Sequence, residues 1–176
     1  MNVTSAAMMI HQISPQQSGR LVISSTVPFS FRLSSSVSDM PLYLMMGDLM
    51  QSLLEIRINR ASGVVMGVTL TLFEHSLTPG LPLPFFKASR QEGWIKFDVD
   101  EWQSDRRDEA AEFLLFRSHS AYSVIFHDLE PEKLIVGTRV GFFVAANRLC
   151  GIEFFDLTGA ELDILNDLWS RSDPAF

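Results

Sequence analysis

Leu54-Glu55-Ile56-Arg57-Ile58-Asn59, then Arg60-Ala61-Ser62-Gly63, then Val64-Val65-Met66-Gly67-Val68-Thr69-Leu70-Thr71-Leu72 is the stretch that decides the fold. In its first limb Leu54, Ile56 and Ile58 alternate with Glu55, Arg57 and Asn59, a period of two that puts apolar groups on one sheet face and polar groups on the other. Gly63 can take the positive φ that a tight reversal needs. The return limb is expected to turn Val64, Met66, Val68, Leu70 and Leu72 to one side and Val65, Gly67, Thr69 and Thr71 to the other, with Gly67 marking a bulge. The element is a hairpin, which sets an antiparallel expectation for the whole.

Outward from this hairpin the same pattern recurs. Arg20–Val27 and Phe29–Leu33 are rich in β-branched and aromatic residues and are broken by Pro28; Pro41–Met46, Trp94–Val99, Phe113–Phe116, Tyr122–His127 and Leu134–Val136 are further strand candidates. In Trp94–Val99 the pattern puts Ile95, Phe97 and Val99 on one side and Trp94, Lys96 and Asp98 on the other. Val140–Ala145, the pair Asn147-Arg148 and Leu149–Phe155 form a second hairpin. It echoes the first: Ile58-Asn59-Arg60 followed by Gly67-Val68 compares with Ala146-Asn147-Arg148 followed by Gly151-Ile152. The echo also fits ordinary turn chemistry, in which Asn and Gly are favoured. Met1–Gly19 reads as a loosely ordered or short-strand lead-in, Ser34–Asp39 as a loop, Thr78–Pro84 as a proline-spaced crossing and residues 104–112 as a short helix.

The best-marked helix follows Thr158. Thr158 and Glu161 form a capping box, and Leu157 and Leu162 are placed as its hydrophobic staple. Leu162, Leu165 and Trp169 share a face with Ile164 and Leu168 beside them, leaving Asp163, Asn166 and Asp167 to water; Arg171 favours the C-terminal dipole and Pro174 stops the helix. The fold class expected is α+β: a predominantly antiparallel β-sheet of hairpins with a C-terminal α-helix packed on it, one domain over residues 1–176.

Composition narrows the function. The 176 residues are 47% hydrophobic and 20% charged, which suits a single buried core and excludes wholesale disorder. The lone cysteine, Cys150, sits in an apolar segment and excludes an intrachain disulfide; a buried, inert thiol is expected. No run approaches the roughly 20 apolar residues of a membrane span, and the N-terminal residues make a poor signal peptide, so a cytoplasmic location is expected. Residues 1–90 carry six basic and four acidic side chains, residues 91–176 eight and seventeen. Such a field repels nucleic acid and anionic lipid and draws basic proteins, so the expected partner is a basic protein and not nucleic acid or membrane.

The acid concentrates further. Asp98, Asp100, Glu101, Asp105, Asp108, Glu109 and Glu112 face only Arg106 and Arg107 within the same segment, with Trp94 and Trp102 interleaved. Carboxylates crowded together gain when a basic surface arrives, and exposed tryptophan is a common interface anchor, so Asp98, Asp100, Glu101, Trp102, Asp105, Asp108, Glu109 and Glu112 are the candidate partner-binding residues. The alternative is a solvated loop and helix face whose tryptophans turn into the core. The sequence lacks the Walker, GxGxxG, GxSxG, HExxH and CxxC patterns. Neither a catalytic residue, a cofactor nor a resident metal is assigned. A metal-dependent hydrolase using His119, His127 and Asp128, with Glu130 nearby, is an alternative, as is a module holding a small apolar ligand between sheet and helix. Glu74-His75 reads as a solvated pair.

Leu53–Asn59, Ser62-Gly63, Gly67–Leu70 and the closing Asn147–Leu162 hairpin and capped helix resemble the immunity proteins of contact-dependent inhibition and related polymorphic toxin systems. The resemblance implies a cytosolic inhibitor that binds a cognate toxin domain, often a nuclease, and covers its active site. A nuclease must be basic to hold phosphate, which agrees with the acidity read from composition.

Overall fold

The computed structural model describes residues 9–13, 17–34, 40–48, 50, 52–73, 87–100, 102–126 and 129–170. In chain order the elements are β1 (Ile10–Ile13), β2 (Gly19–Val22), β3 (Phe29–Leu33), β4 (Leu42–Gly47), β5 (Ser52–Ile58), β6 (Val65–Phe73), β7 (Ser89–Glu92), β8 (Trp94–Phe97), β9 (Arg106–Glu109), β10 (Leu114–Arg117), β11 (Tyr122–Ile125), β12 (Lys133–Val136), β13 (Val140–Ala145), β14 (Arg148–Phe154) and α1 (Gly159–Ser170). Among the described residues the strands form a two-stranded sheet, β1-β8, and two six-stranded sheets, β2-β3-β6-β5-β4-β9 and β10-β11-β14-β13-β12-β7.

The two large sheets have one topology. Each is built on five strands that follow one another in the chain, joined in the spatial order first, second, fifth, fourth, third. In each the sixth strand lies parallel to the third, β9 beside β4 and β7 beside β12. The registers match residue for residue. Phe29 faces Leu70 and Phe31 faces Val68 in the first sheet; Tyr122 faces Phe154 and Val124 faces Ile152 in the second. The β5-β6 hairpin slips register between Arg57 and Ile58, and the β13-β14 hairpin between Phe143 and Val144. The extra residue is Met66 before Gly67 in one and Cys150 before Gly151 in the other. The echo of the two hairpins thus extends to an internal duplication, although the second reversal is tighter, with Ala146 and Asn147 both at positive φ (48° and 57°) as a two-residue turn requires.

The bulge also corrects one expectation. An extra residue reverses the in-out phase, so Val65 rather than Val64 is fully buried, while Val68 and Leu70 keep the expected face. A second correction concerns the sheets: they are mixed, because the connector between the duplicated halves (residues 89–109) donates β7 to the second sheet and β9 to the first. A third is that residues 106–109 form a strand, not part of a helix; the open flank of β4 supplies backbone partners that outweigh local preference. Of the two readings of the lead-in, the short strand holds at β1, which pairs with β8.

One hydrophobic cluster takes in the inner faces of both large sheets and the helix. Phe29 of the first sheet stacks on Phe154 of the second at 4.2 Å and 4°. Trp94 of β8 stands between the sheets, 5.6 Å from Phe31 and edge-on to Phe142 at 5.0 Å. Its indole N–H donates to the Val65 carbonyl at 2.7 Å. Trp94 and Ile95, expected on opposite faces of the strand, are both fully buried, so at Trp94 the reading in which the tryptophan turns into the core holds.

The helix adds Leu165 and Trp169 to the same cluster, Trp169 lying 4.8 Å from Tyr122. The capping box forms reciprocally, Thr158 N–H to Glu161 Oε2 at 2.9 Å and Glu161 N–H to Thr158 Oγ1 at 3.3 Å. Two helix residues depart from expectation: Ile164 is exposed, and Asn166 accepts from Arg117 at 2.6 Å. Burial alone pushes the Glu161 carboxyl upward, but bonds from Arg139 and Thr158 and the Arg139 charge outweigh it, so its pKa lies below the ordinary value. A carboxylate whose pKa is depressed by folding stabilises above its unfolded pKa and loses that contribution as pH falls through the folded one. Glu161→Gln is therefore expected to cost about 1 kcal/mol at neutral pH. Melting the variant and parent side by side should show the gap closing on acidification; a gap that persists in acid rejects the assignment.

A candidate charged interaction site

The connector meets both sheets before its acidic part begins, which fixes where those carboxylates stand. Val64 bridges Lys96, and the Phe97 N–H donates to Gly63 at 2.8 Å. Asp98 and Asp100 follow at once and are exposed, Asp98 Oδ1 accepting the Asp100 N–H at 3.3 Å. With His11, Ser62 and Lys96 they line a shallow cavity of about 250 Å³. Glu101 lies outside the described residues. Trp102 is half-buried against the main core, so it offers little apolar anchor, and its indole N–H is buried without an acceptor.

Three carboxylates beyond Trp102 are paired within the chain. Asp105 meets Arg60, Asp108 meets Arg106, and Glu109 meets Arg107 at 3.3 Å. Along β9 alternating residues point to opposite faces, so Arg106 and Asp108 share the outer face while Arg107 and Glu109 turn inward, half-buried. Such charges also blunt an exposed sheet edge. Asp98, Asp100 and Glu112 are exposed and belong to no ion pair among the described residues.

The remaining candidates divide. His119 and Glu130 are exposed, while His127, Asp128, Glu74 and His75 lie outside the described residues. No group of three or more His, Cys, Asp or Glu placed to hold a metal occurs among the described residues. Cys150 is fully buried, donates to the Phe143 carbonyl at 3.3 Å, and is pushed by burial up to about 12, as an inert thiol should be. No described helix is long and apolar enough to cross a membrane.

No protein-family model and no curated protein matches this sequence.

The sheet register assembles one feature that the sequence does not display. Arg20 faces Arg32, Arg32 faces Gly67, Gly67 faces Arg57, Arg57 faces Tyr43, and Tyr43 faces Arg106. These six positions form one row across the outer face of the first sheet. Arg20, Arg32 and Arg106 are exposed; Arg57 is half-buried, 5.9 Å from the Tyr43 ring centroid, with its Nε buried and unpartnered. The same row in the second sheet is Leu114, Ile125, Gly151, Phe143, Leu134 and Arg90. Three arginines of the first row thus stand where the second has Leu114, Ile125 and Phe143. Ile125 and Phe143 are buried in a second apolar cluster on that sheet's outer side.

Proposed function

We propose that this chain is a cytosolic binding protein of the immunity type, which engages a basic protein, a toxin nuclease domain, through the connector carboxylates and covers it. The observation that supports this reading is that Asp98 and Asp100, on a connector braced by strands of both sheets, and Glu112 just after it are exposed and belong to no ion pair among the described residues. Charges held in place lose little freedom on binding, and complementary potential raises the association rate and excludes neutral competitors. The pairs at Asp105 and Asp108 are no bar. Exposed ion pairs are each worth about 0–1 kcal/mol, little enough for a cationic partner to exchange into them.

The test uses the product of the neighbouring reading frame as a purified domain, with association followed by stopped flow at low and high salt. Asp98→Lys, Asp100→Lys and Glu112→Lys together should slow association at least about tenfold at low salt, with the thermal melt unchanged and the difference shrinking as salt screens the charges. An association rate indifferent to the three substitutions, or no association, ends the reading.

A further inference from the structure

We propose that the arginine row on the outer face of the first sheet is a binding surface for the backbone of single-stranded nucleic acid. This surface is independent of the connector carboxylates and goes beyond the inhibitor reading. Adjacent strands lie about 4.8 Å apart, so five steps from β2 to β9 carry the row over about 24 Å. The charges along it have one sign. Arg20, Arg32 and Arg57 take part in no ion pair among the described residues; Arg106 is held by Asp108 in the adjoining row. That adjoining row is Val22, Ser30, Thr69, Glu55, Met45 and Asp108.

Three features favour phosphodiester over the carboxylates of an acidic protein. Every cation in the row is arginine, whose planar fork matches phosphate and whose flat face also stacks on bases. Gly67 puts no side chain at the centre: it is buried between the Arg32 and Arg57 stems, a Cβ there would stand 2.9 Å from the Phe31 carbonyl oxygen and 3.8 Å from Arg32 Cγ and Arg57 Cδ, and the row carries no apolar side chain at that point. Tyr43 supplies an aromatic face beside Arg57, the combination of stacking platform and positive track by which single strands are held without base readout. A protein interface would instead be expected to place apolar side chains at the centre of the patch. The net charge of −7 repels a polyanion at long range; the row acts against it locally, and three of its four arginines belong to residues 1–90, where basic side chains outnumber acidic ones.

The experiment is fluorescence anisotropy of labelled 20-mer oligothymidylate and oligouridylate titrated with the full chain at low salt, then at rising salt. Arg20→Glu with Arg32→Glu is compared with Lys87→Glu with Lys133→Glu, an equal charge change at exposed positions off the row. The row pair should weaken binding at least about tenfold and the control pair less than about twofold. Affinity of the parent chain should fall with salt at a slope near −0.7 for each phosphate neutralised. Matching melts would show that the fold is kept; if the glutamates unfold the sheet, Arg20→Gln with Arg32→Gln carries the comparison. Equal loss in both pairs, or no binding by the parent chain, overturns the proposal. Binding of labelled polyglutamate in place of the oligonucleotides overturns it in favour of an acidic protein partner.

Discussion

Trp94→Ala is expected to lower the unfolding free energy by about 3–5 kcal/mol, enough to consume much of the stability of a typical domain. The indole is fully buried, bonded to the Val65 carbonyl and wedged between Phe31 of one sheet and Phe142 of the other. Gly137 lies so close that a Cβ there would stand 2.1 Å from the indole Cζ3. The surroundings are thus shaped to this ring, and removing it leaves a void that two rigid sheets cannot close. Urea unfolding of the variant measures the loss. Trp94→Phe separates packing from hydrogen bonding, since it keeps an aromatic ring but leaves the Val65 carbonyl without that donor. A loss below about 1 kcal/mol for the alanine variant would mean that β8 does not key the sheets together.

The second large effect is expected at Gly63, where alanine should cost on the order of 3 kcal/mol. The residue sits at φ +72°, and a Cβ there would lie 2.1 Å from the Phe97 carbonyl oxygen. Backbone meets backbone at that point, so no side-chain rotation relieves the clash. Gly63 also donates to Asn59 and accepts from Phe97, both at 2.8 Å, and Asn59 Oδ1 holds the turn by accepting from Ala61 and Ser62. Relief would require β8 to move away from the first hairpin. Gly159→Ala is the control, because nothing lies within 4 Å of its added carbon at the helix start; its melt should stay near the parent's or rise. Equal melts for the two variants would refute the close approach.

Much of the architecture could be read from residues. Strict alternation in Leu54–Ile58 and the turn residues around Gly63 and Asn147 announced both hairpins, and the Thr158/Glu161 spacing announced the helix start, because each signal is local. What escaped was non-local. The charged run at Arg106–Glu109 carries no strand signature and becomes one only because β4 has a free flank. The duplication showed itself at the two turns alone, since beyond them equivalent positions differ in chemistry: Arg32 corresponds to Ile125 and Arg57 to Phe143. Of the candidate site, the exposure of Asp98, Asp100 and Glu112 agreed with their sequence context. The pairing of Asp105 with Arg60 could not be foreseen, as 45 positions separate them. The arginine row was invisible for the same reason. Its members are scattered from Arg20 to Arg106 and become neighbours only when four antiparallel registers and one parallel register are known.

The exchange of β7 and β9 has a mechanical meaning. Each repeat borrows its last strand from the span that ties the pair together, so the joint works as a buckle and not as a tether. Neither half could be cut out whole: a fragment ending before β9 would bare the side of β4, and one beginning after β7 would bare the side of β12. The pattern that repeats is therefore smaller than the object that can stand by itself.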